Sequence, residues 1–298
     1  MRLVKKAPAQ HGAMVPSTSK PRSARHTATV LGIMNSKGGV GKTTTAVTLA
    51  AALAMRYRVL LIELDAQGAA SRSLGMPSDG MARPLDDVLV GTASMADAIV
   101  SSPFEGLDFA AIEPELLSMP TWARRVRRPH LRLREALSDV EETYEYIIFD
   151  CAPSFSEINR AALFAADGII SPIVPHYLAY ESFRSFAQEV AALQHGPWPV
   201  ASIWGIVPTM VDTRTRMARD ILGRLREEYP DLVLKTEIPV NIRLAEAPQT
   251  ATSIFSYAID AAGAKAYWKL ATEVIYLAQM RRIMKGLGHV GAQMKRAA

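Results

Sequence analysis

The chain of 298 residues contains a single cysteine, Cys151. An intrachain disulfide is therefore excluded, and so is a metal or iron–sulfur centre built from several thiolates of one chain. No apolar run approaches the length of a bilayer span, so no transmembrane helix is expected. No apolar segment near the N-terminus has the form of a secretory signal. A cytoplasmic protein is the simplest expectation. Acid is missing from residues 1–29, which hold Arg2, Lys5, Lys6, Lys20, Arg22 and Arg25. That segment carries +6 of a net +5, so the remaining chain, +5 less +6, carries −1. With Pro8, Pro16, Pro21 and few apolar residues, positions 1–27 are expected to form a disordered basic tail. Such a tail is either a solvated leader or an arm for nucleic acid or a partner.

What the chain has is an apolar body and a glycine loop. A hydrophobic content of 49% over this length supports one large domain with a substantial core. Lys37-Gly38-Gly39-Val40-Gly41-Lys42-Thr43-Thr44-Thr45 lies between an apolar run, 28–34, and an Ala/Leu-rich stretch, 44–55. The first reads as a buried strand and the second as a helix. In a P-loop, G-x-x-x-x-G-K-[ST], backbone N–H groups cradle phosphates, the lysine reaches the β/γ-phosphates and the hydroxyl meets Mg²⁺. Gly41, Lys42 and Thr43 supply the second half, whereas Ser36 stands in place of the first glycine. The loop gains a second lysine, Lys37. Lys42 serves the phosphates from inside, so Lys37 must serve something else.

Further strands are expected at 58–65, 107–112, 146–150, 168–174, 203–207 and 232–238. Helices are expected at 129–140, 216–229 and 263–284. Alternation of the two predicts an α/β fold in a single domain, a mostly parallel twisted sheet with helices on both faces. Nucleotide then sits outside the carboxyl ends of the strands. The domain is expected over 28–285, followed by a flexible basic tail over 286–298. Met and aromatic residues at 267–284 are expected to pack the last helix onto the sheet.

Asp65 and Asp150 each end an apolar strand, on the edge that bears the loop. Mg²⁺ needs oxygen ligands there, and an attacking water must be oriented there. Asp150, after Tyr146-Ile147-Ile148-Phe149, reads as a Walker B carboxylate. Asp65, before Ala66-Gln67-Gly68, reads as part of a switch loop. His130, His176 and His195 have no metal-ligand spacing. Arg124, Arg125, Arg127 and Arg128 form a cluster that suits either a solvated surface or a DNA or dimer contact.

Together the segments at 37–45, 65–68, 150–154, 212–215 and 241–248 resemble the ParA-type (Soj-like) partition ATPases, which carry a deviant Walker A loop. The resemblance runs from about Val30 to about Leu277. It implies an ATPase with ATP and Mg²⁺ as cofactors, catalysis by Lys37, Lys42 and Asp65, and a metal shell of Thr43, Asp65 and Asp150. Nucleotide is expected to meet Lys37, Gly38, Gly39, Val40, Gly41, Lys42, Thr43 and Thr44, with Pro239 and Asn241 near adenine. The resemblance further implies an ATP-dependent homodimer in which Lys37 reaches the partner's nucleotide. Non-specific DNA binding through Arg214 and Arg243, a nucleoid-associated location, and release by a ParB-like or other cargo adaptor follow from it. Glu63 stands where the family often has Asp, and Ala66 and Ala152 replace frequent prolines. A helix-turn-helix ahead of the first strand is not expected. A MinD-like membrane ATPase is the alternative, and it needs an amphipathic helix within 275–296, where Gly286, Gly288 and Gly291 interrupt the pattern. An iron–sulfur relative would need two cysteines per chain. A non-hydrolysing scaffold would not need Lys42, Thr43, Asp65 and Asp150.

Overall fold

The computed structural model describes residues 28–76, 83–112, 123 and 126–297, with side chains to Met284. The predicted tail over 1–27, and Arg124 and Arg125 of the arginine cluster, lie outside the described residues. Seven strands form one sheet in the order β3-β4-β2-β5-β1-β6-β7. These are β1 (Thr29–Ile33), β2 (Val59–Glu63), β3 (Val100–Ser101), β4 (Leu107–Ala111), β5 (Tyr146–Asp150), β6 (Gly168–Ile173) and β7 (Ser202–Pro208). All neighbours pair in parallel except the short edge strand β3, which runs against β4.

The central strands are buried on both faces, which is why they read as continuous apolar runs and not as alternating ones. Alternate residues feed two separate cores. Val30, Leu60, Ile62, Ile147 and Phe149 enter one core. That core is covered by α3 (Leu85–Val90), α4 (Met95–Ala98), α5 (Pro129–Leu137), α6 (Glu157–Ala165) and α7 (Tyr177–Gln194), with part of α8 (Arg216–Glu228). Leu31, Leu61, Tyr146 and Ile148 enter the other. It is covered by α1 (Lys42–Ala54), α2 (Ala69–Leu74), α10 (Ile254–Tyr257) and the long α11 (Ala262–Ala297). Between α8 and α10 lie α9 (Ile242–Glu246) and a 3₁₀ turn, Ala247–Thr250.

Three expectations need correction. The strand predicted at 232–238 is not one: only isolated bridges, Ile206 with Val233 and Val211 with Pro239, tie this stretch to β7 and the loop after it. Glu273 on α11 accepts hydrogen bonds from Lys235 N (2.8 Å) and Thr236 N (3.1 Å), so a side chain takes amides that a ladder would use. Pro208 at the end of β7 has no N–H to offer. The terminal helix does not stop at Met284 but runs to Ala297, through Gly286, Gly288 and Gly291. Finally, the Met and aromatic side chains at 267–284 do not all pack on the sheet. Tyr267 is buried, whereas Tyr276, Met280, Ile283 and Met284 are exposed.

A candidate nucleotide and magnesium site

The glycine loop links the carboxyl end of β1 to the first turn of α1, so free N–H groups and the helix dipole converge on it. Gly39 (φ 73°) and Gly41 (φ 87°) adopt left-handed backbone, which an L side chain would strain. Three ties fix the loop from outside. The Asn35 amide spans from Pro172 O (2.8 Å) to Lys37 N (2.9 Å). Ser36 Oγ meets Ser182 Oγ at 3.0 Å. Thr209 Oγ1 donates to Val40 O (2.8 Å). Met210, beside it, takes a left-handed φ of 50°, unusual for its type, and lies against Gly41.

Lys42 is buried at the start of α1, and its Nζ donates to Lys37 O at 2.9 Å. Burial lowers its pKa, while the Asp150 and Asp65 carboxylates oppose that shift. Lys37, by contrast, is exposed, and no hydrogen bond or ion pair of its ammonium occurs among the described residues. Two lysines five residues apart thus sit in opposite environments. Behind them, the Thr45 hydroxyl meets Tyr267 OH of α11 at 3.0 Å.

Asp150 ends β5 next to β1 and is fully buried. Neither carboxylate oxygen has a hydrogen-bond partner of good geometry. Burial pushes its pKa up to about 8; the nearby Thr43 hydroxyl restrains the shift, Glu63 and Asp65 add to it, and Lys42 opposes it. An orphaned buried carboxylate facing a P-loop hydroxyl is costly without a cation and fits one well. Asp65 follows β2, is half-exposed, and among the described residues its side chain accepts only Gln67 N (3.0 Å), through one oxygen. Leu64 N donates to Asp150 O at 2.8 Å, which sets the two acidic strand ends side by side.

Sequence reasoning missed the role of Glu63, noticing only that it departs from the usual residue. It is buried at the end of β2 and accepts Ala70 N at 2.6 Å and Ser71 N at 3.3–3.4 Å. It therefore anchors the first turn of α2 and, through it, the Asp65–Gly68 loop. Burial raises its pKa, and the same hydrogen bonds hold it down. Glu63→Ala is expected to orphan the buried Ala70 amide and the half-buried Ser71 amide, at about 1–3 kcal/mol, and to slow hydrolysis with Asp65 intact. Thermal melts and phosphate release check both effects.

Residues 28–197 match the model of a family described as an AAA domain. Soj of Bacillus subtilis, a sporulation initiation inhibitor protein, is 37% identical over 253 residues, covering 82% of this chain and 97% of the relative. The chromosome partitioning protein ParA of Caulobacter vibrioides is 36% identical over 249 residues, covering 83% and 93%. The chain belongs to the ParA/Soj family of P-loop ATPases. Among solved structures, cobyrinic acid a,c-diamide synthase of Mycobacterium smegmatis with ADP and magnesium superposes with a TM-score of 0.72 at 28% identity, over 83% of this chain and 94% of that one. An ATP complex of Cyanothece McdA gives 0.76 at 21% identity, over 83% and 96%, which speaks to the fold alone.

The other site residues expected from the ParA/Soj resemblance lie outside the loop. Pro239 bridges to Val211, and Asn241, the residue before α9, keeps a buried Oδ1 without a partner. An open depression of about 570 Å³ lies between Asn241–Arg243 and Ser256–Ala261. Arg214 and Arg243 are exposed, and neither is free. Arg214 grips Asp212 with two bonds of 2.8 Å, and Arg243 binds Glu246 at 2.8 Å. Arg127 and Arg128 remain of the described part of the arginine cluster, with Arg128 over the Trp198 ring at 5.6 Å.

Proposed function

We propose that this ATPase is a DNA-dependent partitioning or positioning motor that works as an ATP-closed homodimer. The observation that carries the proposal is the exposed Lys37, unpaired among the described residues, on the nucleotide edge within a rim of exposed apolar side chains. Tyr177 and Leu178 follow β6, Met210 follows β7, and Val240 and Ile242 flank Asn241; all five are exposed. A monomer has little use for such a rim, and a second copy would cover it. Lys37 of each copy would then meet the other's phosphates.

Within one copy, loop amides and Lys42 bind the phosphates. Thr43 and Asp150 would hold Mg²⁺, which supplies charge neutralisation of the phosphoryl oxygens when bound. Asp65 orients the attacking water, and Pro239 and Asn241 border the base. Catalysis of this type is mostly positioning, so slow turnover accelerated by a cargo-bound adaptor is the expected behaviour. The ParA and Soj names among the relatives support a partition role.

DNA binding is proposed through Arg214 and Arg243. Their partners, Asp212 and Glu246, neutralise them in the free chain, and exposed pairs of this kind are worth only about 0–1 kcal/mol. A phosphate can therefore take over either guanidinium. Since the described body is nearly neutral, affinity must come from a local patch doubled by dimerisation. Binding to random duplex is expected in ATP and not in ADP, with each phosphate contact adding roughly 0.9 to the slope of log K against log salt. Arg243→Glu should abolish binding and Arg214→Glu weaken it, with ATP-driven dimerisation retained. Lys37→Ala should show no ATP-driven gain in mass and should lose DNA with it. Mobility shifts at two salt concentrations and light scattering test the set. Equal binding in ADP and ATP would overturn the reading.

A further inference from the structure

α11 presents two unlike faces. One lies on the body: Tyr267, Leu270, Val274 and Ala278 are buried, the Arg281 guanidinium stacks 5.7 Å from the Trp204 ring centre, and Arg282 donates to Thr29 Oγ1 at 2.6 Å. The other face is bare. Tyr276, Met280, Ile283 and Met284 are 59%, 40%, 54% and 68% exposed. In the sequence, Tyr276, Met280, Ile283, Leu287, Val290 and Met294 follow in steps of four, three, four, three and four, and the helix backbone continues past all of them. That spacing is a heptad seam sustained over nearly three repeats.

We propose that α11 pairs seam to seam with α11 of a second copy of this chain, as a two-stranded coiled coil. The flanking positions decide the occupant. In this register one flank is Gln279, Gly286 and Gln293, and the other is Leu277, Met284 and Gly291, none of them charged. Arg281, Arg282, Lys285, Lys295 and Arg296 all fall on the outer positions, and no acid occurs after Glu273. A charged partner helix would be read by charged flanks, which are absent here, whereas an identical copy meets only neutral groups. Gly286 and Gly291 at the flanks allow close approach.

Two further points favour pairing. Gly286, Gly288 and Gly291 lower helix propensity, so this stretch needs packing to persist. The body also lies on the face opposite the exposed side chains, so two bodies would sit on opposite sides of the pair, as a two-fold axis requires. The contact from Arg282 to Thr29 places this part of α11 at the start of β1, whereas the P-loop follows the end of that strand. The pairing is thus separate from the nucleotide edge and does not rest on the proposed function. A chain with both contacts has two self-complementary faces at opposite ends of the sheet.

The test is sedimentation equilibrium of the full chain without nucleotide, in low and in high salt. A dimer is expected that high salt leaves intact or tightens, because the seam is apolar and the outer faces repel. Ile283→Asp should weaken it at least about tenfold, with the thermal melt and the ATPase rate per chain unchanged, since Ile283 is not in the core. Ile283→Cys should form a disulfide-linked dimer with an added disulfide oxidant, Cys151 being buried. A monomer at every concentration, or a dimer indifferent to Ile283→Asp, overturns the proposal. So does a monomeric wild type that sediments with phosphatidylglycerol vesicles in low salt only.

Discussion

Replacing Asp65 by alanine is expected to give a protein that binds ATP and has lost at least about 10²-fold in hydrolysis. The division of labour on the nucleotide edge leads to this result. In the proposed site, ground-state binding would come from the loop amides and from Lys42, which is buried at the helix start and aimed along the loop at Lys37 O. Asp65 adds nothing to that cradle. Its carboxylate is half-exposed and accepts one backbone bond, from Gln67, which leaves capacity to hold a water. Lys42→Ala should behave in the opposite way and weaken ATP affinity itself. Titration with a fluorescent ATP analogue and phosphate release under Mg²⁺ separate the two variants. An Asp65→Ala chain that turns over at the wild-type rate would remove the water-orienting role.

The parts of this site that were legible in the sequence are those whose chemistry is local. A glycine loop between an apolar run and a helix declares itself, because its residues are contiguous and their backbone needs are specific. Asp150 was legible for a similar reason, as an acid at the end of four apolar or aromatic residues. Glu63 was not legible, since its partners Ala70 and Ser71 belong to the next helix and nothing in the spacing says that they turn back to it. The false strand at 232–238 failed for a long-range reason as well, Glu273 being 37 and 38 residues from the amides it accepts. Arg214 and Arg243 showed the same limit from the other side. Their positions were readable, but their ion pairs with Asp212 and Glu246 depend on local geometry that charge counting does not contain. The reach of α11 was underestimated because three glycines argue locally against a helix, and only an apolar seam argues for one.

Asp150→Asn is expected to change how stability depends on pH as well as to abolish Mg²⁺-dependent hydrolysis. The native carboxyl group is raised from 3.8 to about 8, chiefly by burial. Below about pH 4 it is protonated in both the folded and the unfolded chain, so the full contribution to stability is present. As pH rises towards 8, the unfolded chain gives up this proton freely while the folded chain retains it, and stability declines. Above pH 8 both states are ionised, and a bare carboxylate remains beside Thr43 without a donor of good geometry. Without metal or nucleotide, the wild type should therefore melt lower at about pH 8.5 than at about pH 5, by an amount on the order of a few kcal/mol. The Glu63 carboxyl is raised too and contributes in the same direction, so some slope will remain in the variant. The amide introduced by Asp150→Asn has no proton to lose in this range. The metal-free variant should therefore be more stable than wild type at the higher pH and nearly equal to it at the lower. Added Mg²⁺ and ATP should rescue the wild type at high pH by neutralising the charge, and should do little for the variant. Differential scanning calorimetry across this range, with and without Mg²⁺ and ATP, measures all four cases. Parallel slopes for the two proteins would mean that Asp150 is already satisfied in the free chain. The carboxylate would then have no unmet demand for a cation.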